Sequence, residues 1–341
     1  MVTEDLLNKS LTREFWLSLC PDLSINDNLL STKPEQPYDL NASASEKCTA
    51  QYEEDGYFQS QPIIPEDVAR RLADAIIKVS EQGFPAQFCL VYDDFWQPLR
   101  RLNQLLEPIM GKDYLLLPDF WFYNVKNDDD DSGWSPHRDV QFPNPMNQDG
   151  SPKVLNLWIP LTDATPLNGC IYILPSSRDP DYPKDFSSLV GHDLRLVKHY
   201  TPQMLQNIRA LPAKAGSILG WNQFVFHWGS KSSRWAANPR INYSMPVQRA
   251  DVPPYDDLAI NLNGDNDFEL TFEMRIGLIC RSIWQYKDTN NLTLGDELIE
   301  YAKNNHTLLN GRGYQAINIS RNDPCWCGSG QRYKHCHGLN G

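Results

Sequence analysis

In the segment Ser135-Pro136-His137-Arg138-Asp139-Val140-Gln141, one residue separates a His from an Asp. When such a segment is extended, both side chains turn to one face, because strand side chains alternate with period two. An imidazole nitrogen and a carboxylate oxygen can then reach one cation. Together they supply two donors of a 2-His-1-carboxylate facial triad, the set that holds non-haem Fe(II) and leaves positions open. The third donor must be a His arriving from far downstream on another strand. His227 fits, standing in Asn222-Gln223-Phe224-Val225-Phe226-His227-Trp228-Gly229-Ser230 at the end of a strongly apolar run. The separation from Asp139 is one at which a double-stranded β-helix returns a late strand beside an early one.

The chain around these residues reads as short β-rich runs broken by Gly, Pro and Asn turns, the pattern of an antiparallel sandwich or barrel. The runs are 121–126, 154–161, 170–175, 217–221, 224–228 and 241–248. In Val154-Leu155-Asn156-Leu157-Trp158-Ile159-Pro160-Leu161, one face is Leu155, Leu157 and Ile159, while Asn156 and Trp158 share the other. A polar group beside an aromatic suits a ligand cavity. In Pro239-Arg240-Ile241-Asn242-Tyr243-Ser244-Met245, Arg240, Asn242 and Ser244 share a face opposite Ile241, Tyr243 and Met245. An Arg pointing inward from an apolar strand is costly unless an anion pairs it. A guanidinium holds a carboxylate through two parallel bonds, so Arg240 is the expected anchor of a dicarboxylic cosubstrate, with Arg234 as the fallback.

Helical patterns flank the strands. Thr12 is placed to cap a helix that buries Phe15, Trp16, Leu19 and Cys20 and stops at Pro21. Residues 24–47, rich in Asn, Ser, Pro and Asp, read as an arm. After an extended Asp55-Gly56-Tyr57-Phe58, residues 65–77 form a helix with Pro65 in its first turn and a stripe of Val68, Leu72, Ala75 and Ile76. Residues 95–110 read as another helix. Phe268, Phe272, Ile276, Ile279 and Ile283 recur at helical spacing, giving a helix that covers the barrel. Asp128 to Asp131 read as a solvated loop, since the EF-hand pattern is absent. The expected organisation is an N-terminal helix and arm (1–47), a double-stranded β-helix domain with flanking helices (48–304), a linker (305–320) and a small C-terminal module (321–341). The fold class is mainly β, jelly-roll or cupin-like.

Composition limits the function classes. Of 341 residues, 41% are hydrophobic and 11% aromatic, including ten Trp, which describes a folded protein. A net charge of -12 argues against direct nucleic-acid binding, which requires a basic face. The acidic start Met1-Val2-Thr3-Glu4-Asp5 leads into no apolar leader, and no run is long enough for a membrane span. The expected location is the cytoplasm. Cys20, Cys48, Cys89, Cys170 and Cys280 are scattered and odd in number, so they read as buried free thiols of a reducing compartment.

Several further stretches resemble one family. Trp158 to Ala164, Asn168-Gly169-Cys170, Leu174 to Ser177, Ala215 to Ser217 and Phe226-His227 follow His137-x-Asp139 in the order seen in phytanoyl-CoA dioxygenase (PhyH-like) members of the Fe(II)/2-oxoglutarate oxygenases. The resemblance covers roughly residues 50–290. It implies Fe(II) held by His137, Asp139 and His227, and 2-oxoglutarate whose far carboxylate pairs with Arg240 beside Trp158 or Tyr123. It also implies O2 as co-reactant and hydroxylation of a small molecule, with succinate and CO2 released. Halogenases of this kind leave the carboxylate position small so that chloride can bind, and the Asp at 139 favours hydroxylation. The substrate is not named by the motif. The loops 141–153 and 178–210 would select it, and His192 and His199 in the second read as surface residues.

The last stretch, Pro324-Cys325-Trp326-Cys327-Gly328-Ser329-Gly330-Gln331-Arg332-Tyr333-Lys334-His335-Cys336-His337-Gly338, combines three thiols with two neighbouring His. Thiolate-rich sets select zinc and close the site, making it structural. The string resembles the SEC-C motif, known from the end of the preprotein translocase motor. That resemblance puts the zinc ligands at Cys325, Cys327, Cys336 and His337 and implies docking to a protein or ribosome partner. Two rivals remain to be weighed. His137-Arg138-Asp139 with Asn144 mimics a protein-kinase catalytic loop, but the Gly-rich loop, strand Lys and D-F-G are missing. A cupin-like metal- or ligand-binding protein without catalysis, recruited through its tail, is the alternative function.

Overall fold

The computed structural model describes residues 2–127, 135–139, 142, 144–184, 201–264, 266, 268–287, 294–309 and 332. Along the chain these form α1 (Glu4–Lys9), α2 (Arg13–Leu19), α3 (Ala42–Asp55), β1 (Tyr57–Gln59), α4 (Glu66–Glu81), α5 (Asn103–Met110), β2 (Tyr114–Leu116) and β3 (Trp121–Val125). Then come β4 (Val154–Pro160), β5 (Ile171–Leu174), α6 (Pro202–Asn207), β6 (Arg209–Leu211), β7 (Leu219–Asn222), β8 (Phe226–Gly229), β9 (Arg240–Arg249), α7 (Phe272–Tyr286) and α8 (Asp296–Asn305).

Two antiparallel sheets make the double-stranded β-helix. The larger runs β1-β7-β4-β9-β2, with β3 also paired to β9, and the smaller runs β6-β5-β8. Alternation along β4 decides what lies on each side. Leu155, Leu157 and Ile159 join the main apolar core with Phe122, Ile241, Tyr243 and residues of α4, α5 and α7. Trp158 turns the other way and packs with Tyr57, Leu219 and Trp221 of the large sheet and Ile171, Ile173 and Leu211 of the small one. Helices therefore cover the outer face of the large sheet, and the space between the sheets carries the second cluster. This sheet-rich core with flanking helices is the fold class expected from the sequence.

Local chemistry sets the element ends. Asn41 caps α3 by accepting from the Ser43 amide at 2.9 Å, and the helix stops at Gly56, which adopts φ 76°. A Cβ there would meet Val225 Cγ2 at 2.8 Å and Asn222 Nδ2 at 2.9 Å, so the turn into β1 needs a residue without one. α3 begins inside the stretch that reads as an arm. α4 follows the expected stripe, burying Leu72, Ala75 and Ile76, but Pro65 sits just before the first turn with extended backbone (ψ 142°) and Val68 is half-buried. The helix expected over 95–110 is broken into 3-10 turns at Asp93–Phe95 and Pro98–Arg101 followed by α5. Pro98 has no N–H to donate back along a continuing helix. Thr12 precedes α2, yet its hydroxyl donates to the Lys9 carbonyl at 2.8 Å and makes no side-chain cap.

A buried Arg275–Asp93 ion pair anchors α7, and the same guanidinium ties in the N-terminal arm. Arg275 Nη1 meets Asp93 Oδ1 at 2.6 Å and donates to the Val91 carbonyl at 2.7 Å, and Nη2 donates to the Asn26 carbonyl at 2.8 Å. Cys20, Cys48, Cys89, Cys170 and Cys280 are free and buried, as expected. Among the described residues no helix is long and apolar enough to cross a membrane. The Asp128 to Asp131 loop, His192, His199 and the four residues expected to hold zinc lie outside the described residues.

Candidate metal centre

His227 reaches the centre on β8, and the segment carrying His137 pairs with it directly. The His137 amide donates to the His227 carbonyl at 3.0 Å and the His227 amide returns the bond at 3.0 Å. That single bridge puts the two imidazoles 4.5 Å apart, centroid to centroid. Asp139 lies between them, with Oδ1 at 3.0 Å from His137 Nε2 and Oδ2 at 3.2 Å from His227 Nε2. One ligand atom from each residue falls within 4.8 Å of the others.

The donors are pre-set for a cation. His137 Nδ1 lies 2.7 Å from the Ser135 carbonyl and His227 Nδ1 lies 3.0 Å from the Val225 carbonyl. A carbonyl can only accept, so each Nδ1 carries a proton, and each Nε2 is the nitrogen turned inward toward a cation. Fixing the tautomer from behind in this way is how protein metal sites orient imidazole. Burial lowers the His227 pKa to about 4, against the opposing attraction of Asp139, so the ring is neutral at neutral pH. Burial alone would raise the Asp139 carboxyl. It is outweighed by His227, His137 and the hydrogen bonds from His137 and Trp221, which hold the group well below the usual carboxylate range. Two imidazoles and one carboxylate fit a divalent iron-type ion.

Asp139 Oδ2 is gripped from outside. Trp221 Nε1 donates to it at 3.0 Å, and Asn156 Nδ2 donates to the same oxygen. Gln223 Nε2 in turn donates to Asn156 Oδ1 at 2.9 Å. Arg138, between His137 and Asp139, points the opposite way. Its Nε donates to the Phe224 carbonyl at 2.9 Å and its Nη2 pairs with Asp179, which is fully buried. Of this outer set only Asn156 carried a signal in the sequence, through its position on the polar face of β4.

Arg240 is 2% exposed on β9, on the face expected for it. Register places Asn242 opposite Tyr123 on one side and Pro160 on the other, and Ser244 opposite both Trp121 and Trp158. Arg240, Asn242, Tyr123 and Trp158 therefore share the inner face with Asn156. Arg240 Nη1 donates to Asn242 Oδ1, and its guanidinium lies 5.7 Å from the Tyr123 ring centre. Arg234, the fallback anchor, is exposed and lies over the Trp235 ring instead.

The family model for phytanoyl-CoA dioxygenase (PhyH) matches residues 52–235, and that for the SEC-C motif matches residues 321–339. Protein translocase subunit SecA of Ehrlichia ruminantium (strain Welgevonden) is 50% identical over 40 residues, which are 12% of this chain and 5% of SecA. SecA of Helicobacter hepaticus (strain ATCC 51449 / 3B1) is 46% identical over 48 residues, 14% of this chain and 6% of SecA. The chain thus spans only a small fraction of these curated relatives. Among solved structures, the non-heme monooxygenase ThoJ in its apo form aligns with TM-score 0.50 at 12% identity, covering 75% of this chain and 99% of ThoJ. It shares the fold. The epimerase SnoN, solved with Fe3+, alpha ketoglutarate and nogalamycin RO, gives TM-score 0.48 at 17% identity over 66% of this chain and 98% of its own.

Proposed function

The chain belongs to the phytanoyl-CoA dioxygenase (PhyH) family, and from that premise we propose that it is an Fe(II)- and 2-oxoglutarate-dependent dioxygenase that hydroxylates a small organic substrate. The observation that carries the reading is the convergence of His137, Asp139 and His227 with both Nδ1 protons held by backbone carbonyls. His137 and His227 would hold iron through Nε2 and Asp139 through a carboxylate oxygen. Bound iron and 2-oxoglutarate supply the oxidising power, so that substrate C–H, O2 and 2-oxoglutarate become C–OH, succinate and CO2.

The residues' own part is binding, orientation and exclusion of water. Arg240, buried and on the same face as Tyr123 and Trp158, pairs with the far carboxylate of the cosubstrate. Tyr123 and Trp158 limit the space around it. Asn156 and Trp221 keep Asp139 turned toward the cation. The apolar cluster between the sheets keeps the site dry, which strengthens each of these polar contacts.

The experiment is succinate release from 2-oxoglutarate by the full chain with Fe(II) and ascorbate, joined to a mass-spectrometric screen for products heavier by one oxygen. Asp139→Ala should lose both iron binding and turnover; full activity in that variant would sink the assignment. Lack of succinate formation by the wild type would favour the non-catalytic binding alternative. For the tail, the reading is a zinc module on Cys325, Cys327, Cys336 and His337 that docks a protein or ribosomal partner, joined through 305–320 to the oxygenase domain of 48–304 behind the 1–47 arm. The free buried thiols support a cytoplasmic location.

A further inference from the structure

Asp119 differs from other carboxylates withdrawn from solvent in this chain. Asp93 faces Arg275, Asp179 faces Arg138, Asp55 faces Arg209 and Asp256 faces Arg281. Asp119 is half-buried, and among the described residues no basic side chain lies within ion-pair distance of it. Its Oδ1 accepts from Trp121 Nε1 at 3.1 Å and from the Tyr286 hydroxyl at 2.7 Å, both neutral donors. Oδ2 accepts from no described residue. The nearby guanidinium of Arg281 is already committed to both oxygens of Asp256. Burial accordingly raises the Asp119 carboxyl to about 6 despite the bonds from Tyr286 and Trp121, with the charge of Asp139 adding to the rise.

The surroundings are aromatic. Tyr286 meets Trp121 edge-on at 4.4 Å, and Trp121 is stacked on Tyr123 at 6.5 Å and 13°. The backbone places this group beside the metal centre. The Leu117 amide donates to the Pro246 carbonyl at 3.0 Å and the Asp119 amide to the Leu117 carbonyl at 2.8 Å, so Asp119 stands near the level of Pro246 on one side of β9. Asn156, which grips Asp139, is paired with Pro246 from the other side. Two strand spacings, about 10 Å, separate the levels, a span that a small molecule bridges.

We propose that Asp119, with Trp121 and Tyr286, is the pole that binds the substrate's protonated amine, carried on a flat or apolar body that lies toward the metal centre. The open oxygen supplies the charge-assisted bond and the rings supply the surface over which an ammonium is held. The chain's net charge of -12 draws such a cation in. As a substrate site the pole rests on the oxygenase reading, but its binding is measurable without turnover.

Calorimetric titration of the full chain at pH 8 with 2-phenylethylamine, phenylacetate and 2-phenylethanol tests it. Mn(II) is present throughout so that the Asp139 carboxylate is engaged. The expected result is that wild type binds the amine at least about tenfold more tightly than either companion. Asp119→Asn, which keeps an acceptor for Trp121 and Tyr286, should weaken the amine about tenfold or more and leave the alcohol within about twofold. No binding of the amine by wild type, equal binding in Asp119→Asn, or a loss shared equally by the alcohol would each overturn the proposal. A wild type that releases no succinate with iron and 2-oxoglutarate overturns the oxygenase reading instead and leaves this comparison intact.

Discussion

Trp221→Phe is the sharpest probe of how the metal centre is held. The substitution keeps a ring in the cluster between the sheets and removes one donor, the Nε1–H that reaches Asp139 Oδ2 at 3.0 Å. A hydrogen bond to a charged group is worth about 1.5–3 kcal/mol, and part of that is kept because Asn156 still donates to the same oxygen. The carboxylate then has more freedom to rotate away from the position between His137 Nε2 and His227 Nε2. Loss of such an outer contact lowers metal affinity by about 10- to 100-fold, or about 1.4–2.7 kcal/mol. Asn156→Ala should fall in the same range, and it also removes the acceptor of Gln223 Nε2. The double variant should cost more than the sum of the two, because each donor partly compensates for the loss of the other on one oxygen.

The assay is Mn(II) binding followed by electron paramagnetic resonance, or Co(II) binding against a competing chelator, with no turnover required. Trp158→Phe is the control. Trp158 shares the inner face but is seated in the apolar cluster, so its loss should leave metal affinity within about twofold. Equal affinity in wild type, Trp221→Phe and Asn156→Ala would refute the idea that these donors orient Asp139. A Trp158→Phe loss as large as that of Trp221→Phe would assign the effect to ring size and not to the hydrogen bond.

Four other outcomes follow from the same structure. Arg240→Leu should raise the 2-oxoglutarate concentration needed for half-maximal succinate release by about 10- to 100-fold, since a charge-assisted pair is lost, whereas Arg234→Leu at the exposed fallback position should change it less than about twofold. The His227 imidazole, depressed to about 4 from an ordinary 6.5, stabilises the metal-free fold fully above pH 6.5 and loses that contribution as pH falls through about 4. The amount is about 3 kcal/mol, visible as a drop in the urea midpoint between pH 7 and 4 that His227→Gln flattens. Arg275→Met leaves Asp93 charged and buried and should cost about 3–5 kcal/mol by chemical denaturation, while Lys9→Met at an exposed pair costs under about 1 kcal/mol. Deleting residues 321–341 should leave succinate release unchanged and remove one equivalent of zinc measured by mass spectrometry, and loss of turnover with the barrel still folded would contradict a docking role.

What the sequence discloses about this centre depends on whether the deciding geometry is local. The His137-x-Asp139 spacing is local, because period-two alternation fixes the relative direction of the two side chains once the segment is extended. The faces of β4 and β9 are local in the same sense, so Asn156, Trp158 and Arg240 are found where alternation places them. The register between strands is not local. In the sequence Trp221 is only the end of the strand-like run 217–221, and only the pairing of Asn156 with Trp221 across β4 and β7 turns its Nε1 into a donor for Asp139. Arg138 is hidden for a related reason. A charge between two inward residues points outward by alternation, and outward would be solvent had Asp179 not been brought over it from beyond β5. α3 is hidden by composition, since a helix that buries only Cys48, Tyr52 and Asp55 has no apolar stripe to show. The helix over 95–110 errs the other way. Its apolar spacing is real, but Pro98 imposes a backbone limit that spacing does not encode, and the chain turns there before α5 resumes. The same limit applies to Asp119: its missing cation becomes visible only when the guanidinium partners of the other interior carboxylates are known, because an unpaired charge is a property of the assembled site and not of any stretch of chain.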